Sequence, residues 1–405
     1  MIGWVAYHSA IVKPAMECDA SVMGSSGRLA CVRRYRHAVR WTRTRDDGQV
    51  APFDIATLAD YRRCYFVLRA DHATKPGGDV DLAHQIGRAA EARGATVQVV
   101  GTPELPAMLD ARDLLFLFNI DRPCEAAIAL DRIHPDGRAL LYSLHHPAAG
   151  VAKYLTRVGG PKRLLSAVAG GRPDRYEALV DAAKAMRTRD ASRLRMAFGR
   201  DRAIARLIAR CELLVTSAAE LAEIGVRYGT PPRGAWLLPH PVAAHVPASV
   251  TAMPRYVLVP GRIEPRKNQL AALQTLASMQ IRERGIEVIL AGGKGSDTDY
   301  FRATVDFAIA NNVIYVSQLP KSLFFPAVSG AATVVNASFF EVTSLIDLYA
   351  INNRIPLVTT IHGYYSSAPT LRQVDPLNWG PAPTPQLTGA IDAMLDFKDD
   401  RAAAS

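Results

Sequence analysis

The sequence predicts an α/β protein of two Rossmann-like domains, whose parallel sheets face one another across a cleft. Strand-sized apolar runs alternate with amphipathic helical stretches through residues 61–242, and the same alternation restarts at residue 255. Residues 243–254 between them have the Pro, Ala and Ser composition of a linker. At 405 residues the chain is long enough for two domains of ordinary size.

The first domain is predicted to span residues 61–242, behind an extension at 1–60 that lacks sustained periodicity. A strand, a glycine loop, a helix and a second strand follow in the order of a βαβ unit, which implies parallel strands. The strands are predicted at 64–68, 96–100, 114–118, 139–143, 211–216 and 236–238, and two of the helices at 80–93 and 218–228. Ser217 is well placed to cap the second of these helices.

The second domain is predicted to span residues 255–405 and shows the alternation more clearly. Its strands are predicted at 256–259, 287–291, 313–316, 333–336 and 356–359, and its helices at 269–284, up to 310, at 323–328, 345–352 and 387–397. Ligands of such sheets bind beyond the carboxyl ends of the strands. We therefore expect the substrate to lie in the cleft between the two domains.

Composition excludes several classes of protein. Hydrophobic residues make up 49% and charged residues 21% of the chain, as in an ordinary globular enzyme. No apolar run approaches the ~20 residues of a membrane-spanning helix, and no secretory signal is evident. The five cysteines include no Cys-x-x-Cys pair, which argues against a zinc site or a disulfide framework. We therefore expect a cytoplasmic protein.

The positive charge is concentrated in residues 157–210, which contain 14 Lys or Arg against 5 Asp or Glu, in a chain of net charge +10. Such a stretch is either a solvated helical surface or a face that attracts an anionic partner. It has few aromatic residues to stack on bases, so nucleic acid is not expected as a partner. An anionic membrane surface that carries a lipid-linked acceptor is the more economical interpretation, with the protein peripheral at the inner face of the membrane.

A charged loop, GRIEPRKN at 261–268, follows the first strand of the second domain. Arg262 offers a planar fork and Lys267 a compact charge, so the pair suits a diphosphate. Both cations would neutralise a departing nucleoside diphosphate. The alternative is a surface loop with ordinary charges.

A second candidate segment, SFFEVTS at 338–344, leads into a helix. Ser344, with Asp347 three residues later, resembles a capping box. The exposed amides and the positive end of that helix would receive phosphate oxygens. Glu341 could hydrogen-bond sugar hydroxyls, or it is a solvent-facing loop carboxylate.

Together, GRIEPRKN, the strand that ends in Ala291-Gly292-Gly293 and ASFFEVTSLIDLYAINNRIPLVTT at 337–360 resemble the donor domain of family-4 glycosyltransferases, which have the GT-B fold. Glu341 lies fifteen residues before Pro356, as the first glutamate of the family's Glu–seven residues–Glu motif would. KPGGDVDLAHQIGRAAEARGATVQVV at 75–100 and SAAELAEIGVRYGTPPRGAWLLPHPV at 217–242 extend the resemblance more faintly.

The resemblance implies transfer of a sugar from a nucleotide-sugar donor, which is a substrate rather than a cofactor, to a saccharide or lipid-linked acceptor. It implies retention of anomeric configuration and no required metal. The catalytic residues it implies are Arg262, Lys267 and Glu341, with His145 or His146. The donor-binding residues it implies are Gly77, Gly78, Gly261, Arg262, Lys267, Gly292, Thr343, Ser344 and Tyr349. The alternative for the two histidines is a packed pair on a loop. The sequence does not show which of His145 and His146 would face the sugar.

The sequence departs from the family at the ribose side of the site. Tyr349 stands where the second glutamate of the motif belongs. A tyrosine offers only one hydroxyl or a stacking ring, and Asp347 lies on another face of the helix. Val342, Thr343 and Ser344 replace the family's small, glycine-rich stretch.

Two other functions stay open. A degenerate transferase that binds a nucleotide sugar and regulates a partner is motivated by Tyr349. Another enzyme on the same architecture, such as a nucleotide-sugar epimerase, fits the charged loop and the spacing from Glu341 to Pro356 less well. A dinucleotide-dependent dehydrogenase is disfavoured because no Gly-x-Gly-x-x-Gly follows an early strand.

Overall fold

The computed structural model describes residues 50–397, apart from residues 71, 74–77, 122, 190–193, 195–196, 242–253, 361–364 and 366–367. Most of the predicted extension, nearly all of the linker and Gly77 lie outside the described residues. The chain divides into two compact units. The first unit contains described residues of 50–145 and 174–241, and the second contains those of 146–173 and 254–397. The second unit thus includes a segment that the sequence assigned to the first domain.

The first unit is built on a six-stranded parallel sheet in the order β2-β1-β3-β4-β5-β6. The strands are β1 Arg63–Leu68, β2 Val97–Gly101, β3 Asp113–Phe118, β4 Arg138–Tyr142, β5 Glu212–Val215 and β6 Ala235–Leu237. The helices up to β6 are α1 Gly78–Glu91, α2 Pro123–Leu130, α3 Ala148–Leu155, α4 Gly160–Val168, α5 Pro173–Thr188, α6 Arg200–Arg210 and α7 Ala218–Tyr228. Of these, α3 and α4 belong to the second unit.

The strands in the middle of this sheet have nearly unbroken apolar sequences because both faces are covered. All six residues of β3 are buried. The rings of Phe66 and Phe116, on neighbouring strands, stack with their centroids 4.4 Å apart. At the start of β3, Arg62 makes hydrogen bonds of 3.0 and 2.8 Å to the Asp113 carboxylate. Every predicted strand of this sheet is therefore present, within one residue of its predicted ends.

Residues 50–60, predicted as part of the extension, pack onto the first unit. The Phe53 N–H donates to Leu237 O, and the Leu237 N–H donates to Ala51 O, each over 2.8 Å. A 3₁₀ turn at Ile55–Asp60 is capped by Asp54 and buries Leu58 completely. This short stretch therefore adds backbone pairing next to β6.

The second unit contains another six-stranded parallel sheet, in the order β12-β11-β10-β7-β8-β9. Its strands are β7 Tyr256–Pro260, β8 Glu287–Ala291, β9 Ile314–Val316, β10 Thr333–Asn336, β11 Leu357–Thr360 and β12 Leu371–Val374. The accompanying helices are α8 Gln269–Ser278, α9 Thr298–Ala310, α10 Lys321–Ser329, α11 Leu345–Asn352 and α12 Pro385–Leu395. Two parallel α/β sheets confirm the predicted class of fold.

The structure corrects two details of the sequence prediction in the second unit. The helix predicted at 269–284 ends at Ser278, and a 3₁₀ turn at Ile281–Arg284 follows. Gln280 between them has φ 53°, a left-handed conformation that an α-helix does not accommodate. No strand was predicted at β12, whose Arg372 is exposed at the edge of the sheet.

The segment 146–173 packs through α3 against the loops that follow β10 and β12. The Tyr154 ring lies 5.8 Å from the Phe339 ring and 5.6 Å from the Phe340 ring, between centroids. A Cβ on Gly150 would lie 2.5 Å from Phe339 O, so glycine permits this close approach. The Lys153 ammonium pairs with the Asp375 carboxylate. Among the helices that the structure describes, none is long and apolar enough to cross a membrane.

Candidate functional site

Two loops of the second unit meet where β7 and β8 end. The Gly261 N–H donates to Ala291 O and the Ile263 N–H donates to Gly293 O, both over 2.9 Å. A Cβ on Gly292 would lie 1.9 Å from Gly261 O, and Gly261 has φ 111°. Of the predicted donor-binding residues, Gly292 is therefore required by the close approach of the two loops, and Gly261 is favoured by its positive φ.

The loop after β7 is fastened from inside by Gln269, the first residue of α8. Its side-chain amide donates to Arg262 O over 2.7 Å and to Gly261 O over 3.3 Å. Gln269 is buried, so these bonds satisfy a polar group that would otherwise be costly to bury. Sequence reasoning missed this residue. Asn268 before it has φ 56°, a left-handed conformation that asparagine tolerates better than most residues.

Glu341 lies at the centre of a cluster of charged groups. Its carboxylate pairs with the Lys267 ammonium and lies 3.3 Å from the Arg266 guanidinium. The Ser338 hydroxyl lies 3.0 Å from Glu341 Oε1. Glu341 is buried, at 8% exposure, so the alternative of a solvent-facing loop carboxylate is wrong. The structure thus brings together Lys267 and Glu341, which the sequence had placed in separate motifs.

Arg266 is a member of this cluster that the sequence prediction left out of its site. Its guanidinium lies between two carboxylates, 3.0 Å from Glu264 and 3.3 Å from Glu341. Burial alone would lower the pKa of Arg266, but the Glu341 and Glu264 carboxylates outweigh it and raise the pKa. Its position in the charged loop was visible, but its inward direction depends on Glu341, seventy-five residues later.

Arg262 takes the outer position of the charged loop. Its side chain is 60% exposed and lies 3.2 Å from the Glu264 carboxylate. The cluster therefore combines the three cations Arg262, Arg266 and Lys267 with two carboxylates. The excess positive charge, partly shielded from water, is suited to hold a diphosphate.

The start of α11 has the predicted Ser344 cap but not the reciprocal bond of a capping box, because the Ser344 N–H donates to Tyr365 and not to Asp347. The Ser344 hydroxyl accepts the Asp347 N–H over 3.2 Å and donates to the Asp347 carboxylate over 2.9 Å. The Ser344 N–H, predicted to face a phosphate, donates to the Tyr365 hydroxyl over 2.8 Å. Thr343 before it is half-buried. A phosphate at the Ser344 amide would therefore have to displace the tyrosine hydroxyl.

Tyr349 lies in the apolar core of the second unit. Its side chain is fully buried, and its ring lies 4.5 Å from the Phe325 ring between centroids. The Tyr349 hydroxyl is 2.9 Å from the Ser329 hydroxyl. As placed, Tyr349 presents neither its ring nor its hydroxyl at the surface. The predicted contact of this residue with a nucleotide is therefore not available in this conformation.

The two candidate histidines are separated by the structure. His145 closes the first unit and His146 opens the segment that packs on the second. The His146 ring lies 5.1 Å from the Phe340 ring, edge to face, directly before Glu341 in the chain. His146 is therefore the histidine that lies next to the charged cluster.

His145 is completely buried and faces carboxylates of the first unit. Its Nδ1 lies 3.0 Å from Asp121 Oδ1, and its Nε2 lies 3.8 Å from Glu223 Oε1. Burial alone would lower the pKa of His145, but Asp121 outweighs it and raises the pKa. Nε2 has no hydrogen-bond partner among the residues that the structure describes. His145 thus fits the packed-loop alternative in part, with one ring nitrogen unsatisfied.

Gly78, at the start of α1, is exposed, and a Cβ there would meet no atom within 4 Å. Packing therefore does not require glycine at this position. Its predicted partner Gly77 lies outside the described residues. The predicted contact of this loop with a donor diphosphate stays a prediction.

Comparisons with known proteins bear on the fold. No protein-family model and no curated protein matches the sequence. Among solved structures, the chain is similar to a sucrose-phosphate synthase from Thermosynechococcus elongatus, with a TM-score of 0.54 at 14% identity over 84% of this chain and 96% of that one. A glycosyltransferase from Rickettsia africae gives a TM-score of 0.54 at 10% identity over 83% and 91%. An Anabaena protein in complex with UDP and glucose gives 0.50 at 12% identity over 82% and 89%.

These similarities show that the chain has the GT-B fold of two Rossmann-like α/β units, as predicted. Identity this low carries the fold alone, because one fold hosts many activities. The predicted cleft between the two units stays a prediction.

Proposed function

We propose that this chain is a glycosyltransferase that moves a sugar from a nucleotide-sugar donor to a glycolipid or polysaccharide acceptor. The observation that carries the proposal is the cluster of Arg266, Lys267 and Glu341 beside the ends of β7 and β10. This end of a parallel sheet is where α/β proteins bind ligands. Membership of glycosyltransferase family 4 is part of the proposal, and the GT-B fold supports it.

In the proposed reaction, the bond between the anomeric carbon of the sugar and the diphosphate oxygen breaks. The acceptor hydroxyl oxygen bonds to that carbon, and its proton leaves with the diphosphate. Lys267 and Arg262 would stabilise the charge that develops on the departing diphosphate. Glu341 would hydrogen-bond the donor sugar, and His146 would lie on the acceptor side.

The test is sugar transfer by variants of the two cations, with a donor found by thermal-shift screening of nucleotide sugars. We expect Arg262→Ala and Lys267→Ala each to reduce transfer by about a hundredfold or more while the protein still folds. Arg282→Ala is the matched control, since Arg282 is an exposed arginine of the same unit whose ion pair is with Glu287, away from the charged cluster. Full activity in both site variants would exclude the assignment.

Two finer features of the reaction belong to the same proposal. Transfer is expected to retain the anomeric configuration, which NMR of the first product formed from the donor would reveal. Transfer is also expected to need no metal ion, so activity should survive excess EDTA. An inverted product, or activity restored only by a divalent cation, would contradict the corresponding feature.

A second candidate function is a nucleotide-sugar-binding protein without turnover. It is favoured by the buried Tyr349, which leaves no carboxylate at the family's ribose position. Occupation of the Ser344 amide by Tyr365 favours it as well. Calorimetry with nucleoside diphosphates, run beside a donor-hydrolysis assay, separates the two functions. Tight binding without hydrolysis or transfer across a broad acceptor panel would favour the binding protein.

We further propose that a lipid-linked acceptor is reached at an anionic membrane surface through residues 157–210. In support, α4 exposes 69% of Leu164 and 65% of Val168 beside the exposed Arg163. The surrounding segment 146–173 has five Lys or Arg and no acidic residue. Apolar side chains flanked by cations suit an anionic bilayer surface.

Sedimentation with vesicles tests the membrane proposal. The wild type should bind vesicles that contain phosphatidylglycerol and should not bind vesicles of phosphatidylcholine alone. Leu164→Ser combined with Arg163→Glu should abolish that binding. Equal binding by the double variant would exclude α4 as the contact.

A further inference from the structure

Asp347 is a buried carboxylate that ties three elements of the second unit together. It is fully buried in the first turn of α11. Its oxygens accept hydrogen bonds from Asn336 over 2.8 Å, from Thr359 over 2.7 Å and from Ser344 over 2.9 Å. These donors come from the end of β10, from β11 and from the helix cap. Three donors directed at one carboxylate match its ionised form, which only accepts.

Asn336 connects Asp347 to Ser338, which contacts Glu341. Because its amide nitrogen donates to Asp347, its carbonyl oxygen faces Ser338. That oxygen accepts the Ser338 N–H over 3.2 Å and the Ser338 hydroxyl over 2.5 Å. The Ser338 hydroxyl also lies 3.0 Å from Glu341 Oε1. The Thr360 hydroxyl, on β11, donates to Ser338 O and holds the same turn from its other side.

We infer that Asp347 is a positioning residue for Glu341, acting through Asn336 and Ser338. The inference rests on the proposed function only in taking Glu341 as the group that contacts the donor sugar. Lys267 and Arg266 bind the Glu341 carboxylate from the charged loop, and Ser338 contacts it from the sheet. The single Ser338 hydroxyl proton is shared between Asn336 Oδ1 and Glu341 Oε1, so the Asn336 oxygen determines where this hydroxyl lies beside Glu341. Asn336, Ser338 and Glu341 are all buried.

A buried carboxylate at position 347 is better explained by a role in positioning other groups than by a role in packing. A buried charge is expensive to desolvate, and an apolar side chain of similar size often gives equal or greater stability. Asn336 and Ser344 both donate to Asp347 Oδ1, so an acceptor oxygen at this place determines which way the Asn336 amide points. Leucine has a similar size and no acceptor, and it would remove that constraint on Asn336.

The first test is structural and needs no ligand. We expect crystal structures at about pH 7.5, where a carboxylate of ordinary pKa is ionised, to keep the Ser338–Glu341 contact in the wild type and to lose it in Asp347→Leu. Thr333→Val is the matched control, since Thr333 is buried at the other end of β10 and its hydroxyl bonds Pro356 O over 3.2 Å. An unchanged Glu341 in Asp347→Leu would overturn the inference.

Ser338→Ala keeps the test decisive if Asp347→Leu does not fold. It removes the link next to Glu341 and leaves the Asp347 bonds in place. Glu341 should shift in this variant as well. If the Glu341 carboxylate stays where it is in Ser338→Ala, the chain does not position it.

The second test measures function, with UDP and UDP-glucose as probes. We expect Asp347→Leu to lower kcat for UDP-glucose turnover by about tenfold or more, since small displacements of a positioned group are costly. The affinity for UDP should be unchanged, which a merely unstable protein would not show. Thr333→Val should match the wild type in both measurements.

The two proposals fail in different ways. A wild type that neither binds UDP nor turns over UDP-glucose speaks against the proposed function with this donor, while the crystal structures still decide the role of Asp347. If the wild type and Asp347→Leu turn over UDP-glucose equally well, the positioning role alone is overturned.

Discussion

Replacing Asp347 with asparagine, which does not titrate, measures how much stability the buried charge removes. Burial raises the pKa of Asp347 from 3.8 to about 6, against the hydrogen bonds from Thr359, Asn336 and Ser344, which lower it. A carboxyl group with a higher pKa in the folded chain binds its proton more tightly there. Its contribution to stability is therefore greatest at low pH, is lost as the pH rises from 3.8 to 6, and is level above that. A shift of about 2 pK units corresponds to about 3 kcal/mol over the whole window.

Urea unfolding at about pH 4.5 and about pH 7.5 measures this effect. The free energy of unfolding of the wild type, minus that of Asp347→Asn, should fall by about 2 kcal/mol between these two pH values. Asparagine does not titrate, and the other groups titrate in both proteins, so the difference isolates Asp347. Thr333→Val leaves Asp347 intact, and its difference from the wild type should be the same at both pH values.

The opposite slope would refute the reasoning. If the wild type gains stability over Asp347→Asn as the pH rises, the three hydrogen bonds outweigh burial and the pKa is lowered. A flat difference would mean that folding leaves the pKa unshifted. Thr359→Val gives an independent check, because loss of a donor to the ionised form should raise the pKa of Asp347 further. The free energy of unfolding of this variant should then fall more between about pH 4.5 and about pH 7.5 than that of the wild type.

Two other predictions test packing and burial. Gly292→Ala should destabilise the protein by more than about 3 kcal/mol, because its Cβ would lie 1.9 Å from Gly261 O, whereas Gly389→Ala in α12 meets nothing within 4 Å and should stabilise by about 0.5–1 kcal/mol. Thermal unfolding of both variants checks this, and equal melting temperatures would contradict it. Burial raises the pKa of the Cys64 and Cys211 thiols to about 12, so iodoacetamide at about pH 8 should leave both unmodified in the native protein and label both in urea. Peptide mass spectrometry reads the labelling, and rapid native labelling of either thiol would count against its burial.

Local signals explain where the sequence predicted the fold well. Helix α7 begins after the Ser217 cap and ends before Gly229, and both bounds of Ala218–Tyr228 were predicted. The buried strands were visible because a strand covered on both faces is a continuous apolar run. β12 was missed because Arg372 and Gln373 interrupt that pattern at the edge of the sheet.

The sequence identified the site residues that belong to a motif, but it did not show the tertiary contacts between them. Lys267 and Glu341 were identified by their motifs, but their ion pair is a tertiary contact across seventy-four residues of chain. Asp347 was set aside because it lies on another face of the helix from Tyr349. The structure shows that this other face meets the ends of β10 and β11, and no periodicity within the helix reveals that.

The interleaving of the two units has a consequence for synthesis of the chain. The backbone passes between the units near residues 145, 173 and 241, rather than once. A ribosome therefore releases 146–173 long before it makes Phe339 and Phe340, which the aromatic ring of Tyr154 contacts. Until then this basic segment has no native surface to cover it, while the strands of the first sheet are already complete at residue 237. We expect the nascent chain to meet chaperones first at this segment, and its release from them to follow the translation of the second sheet.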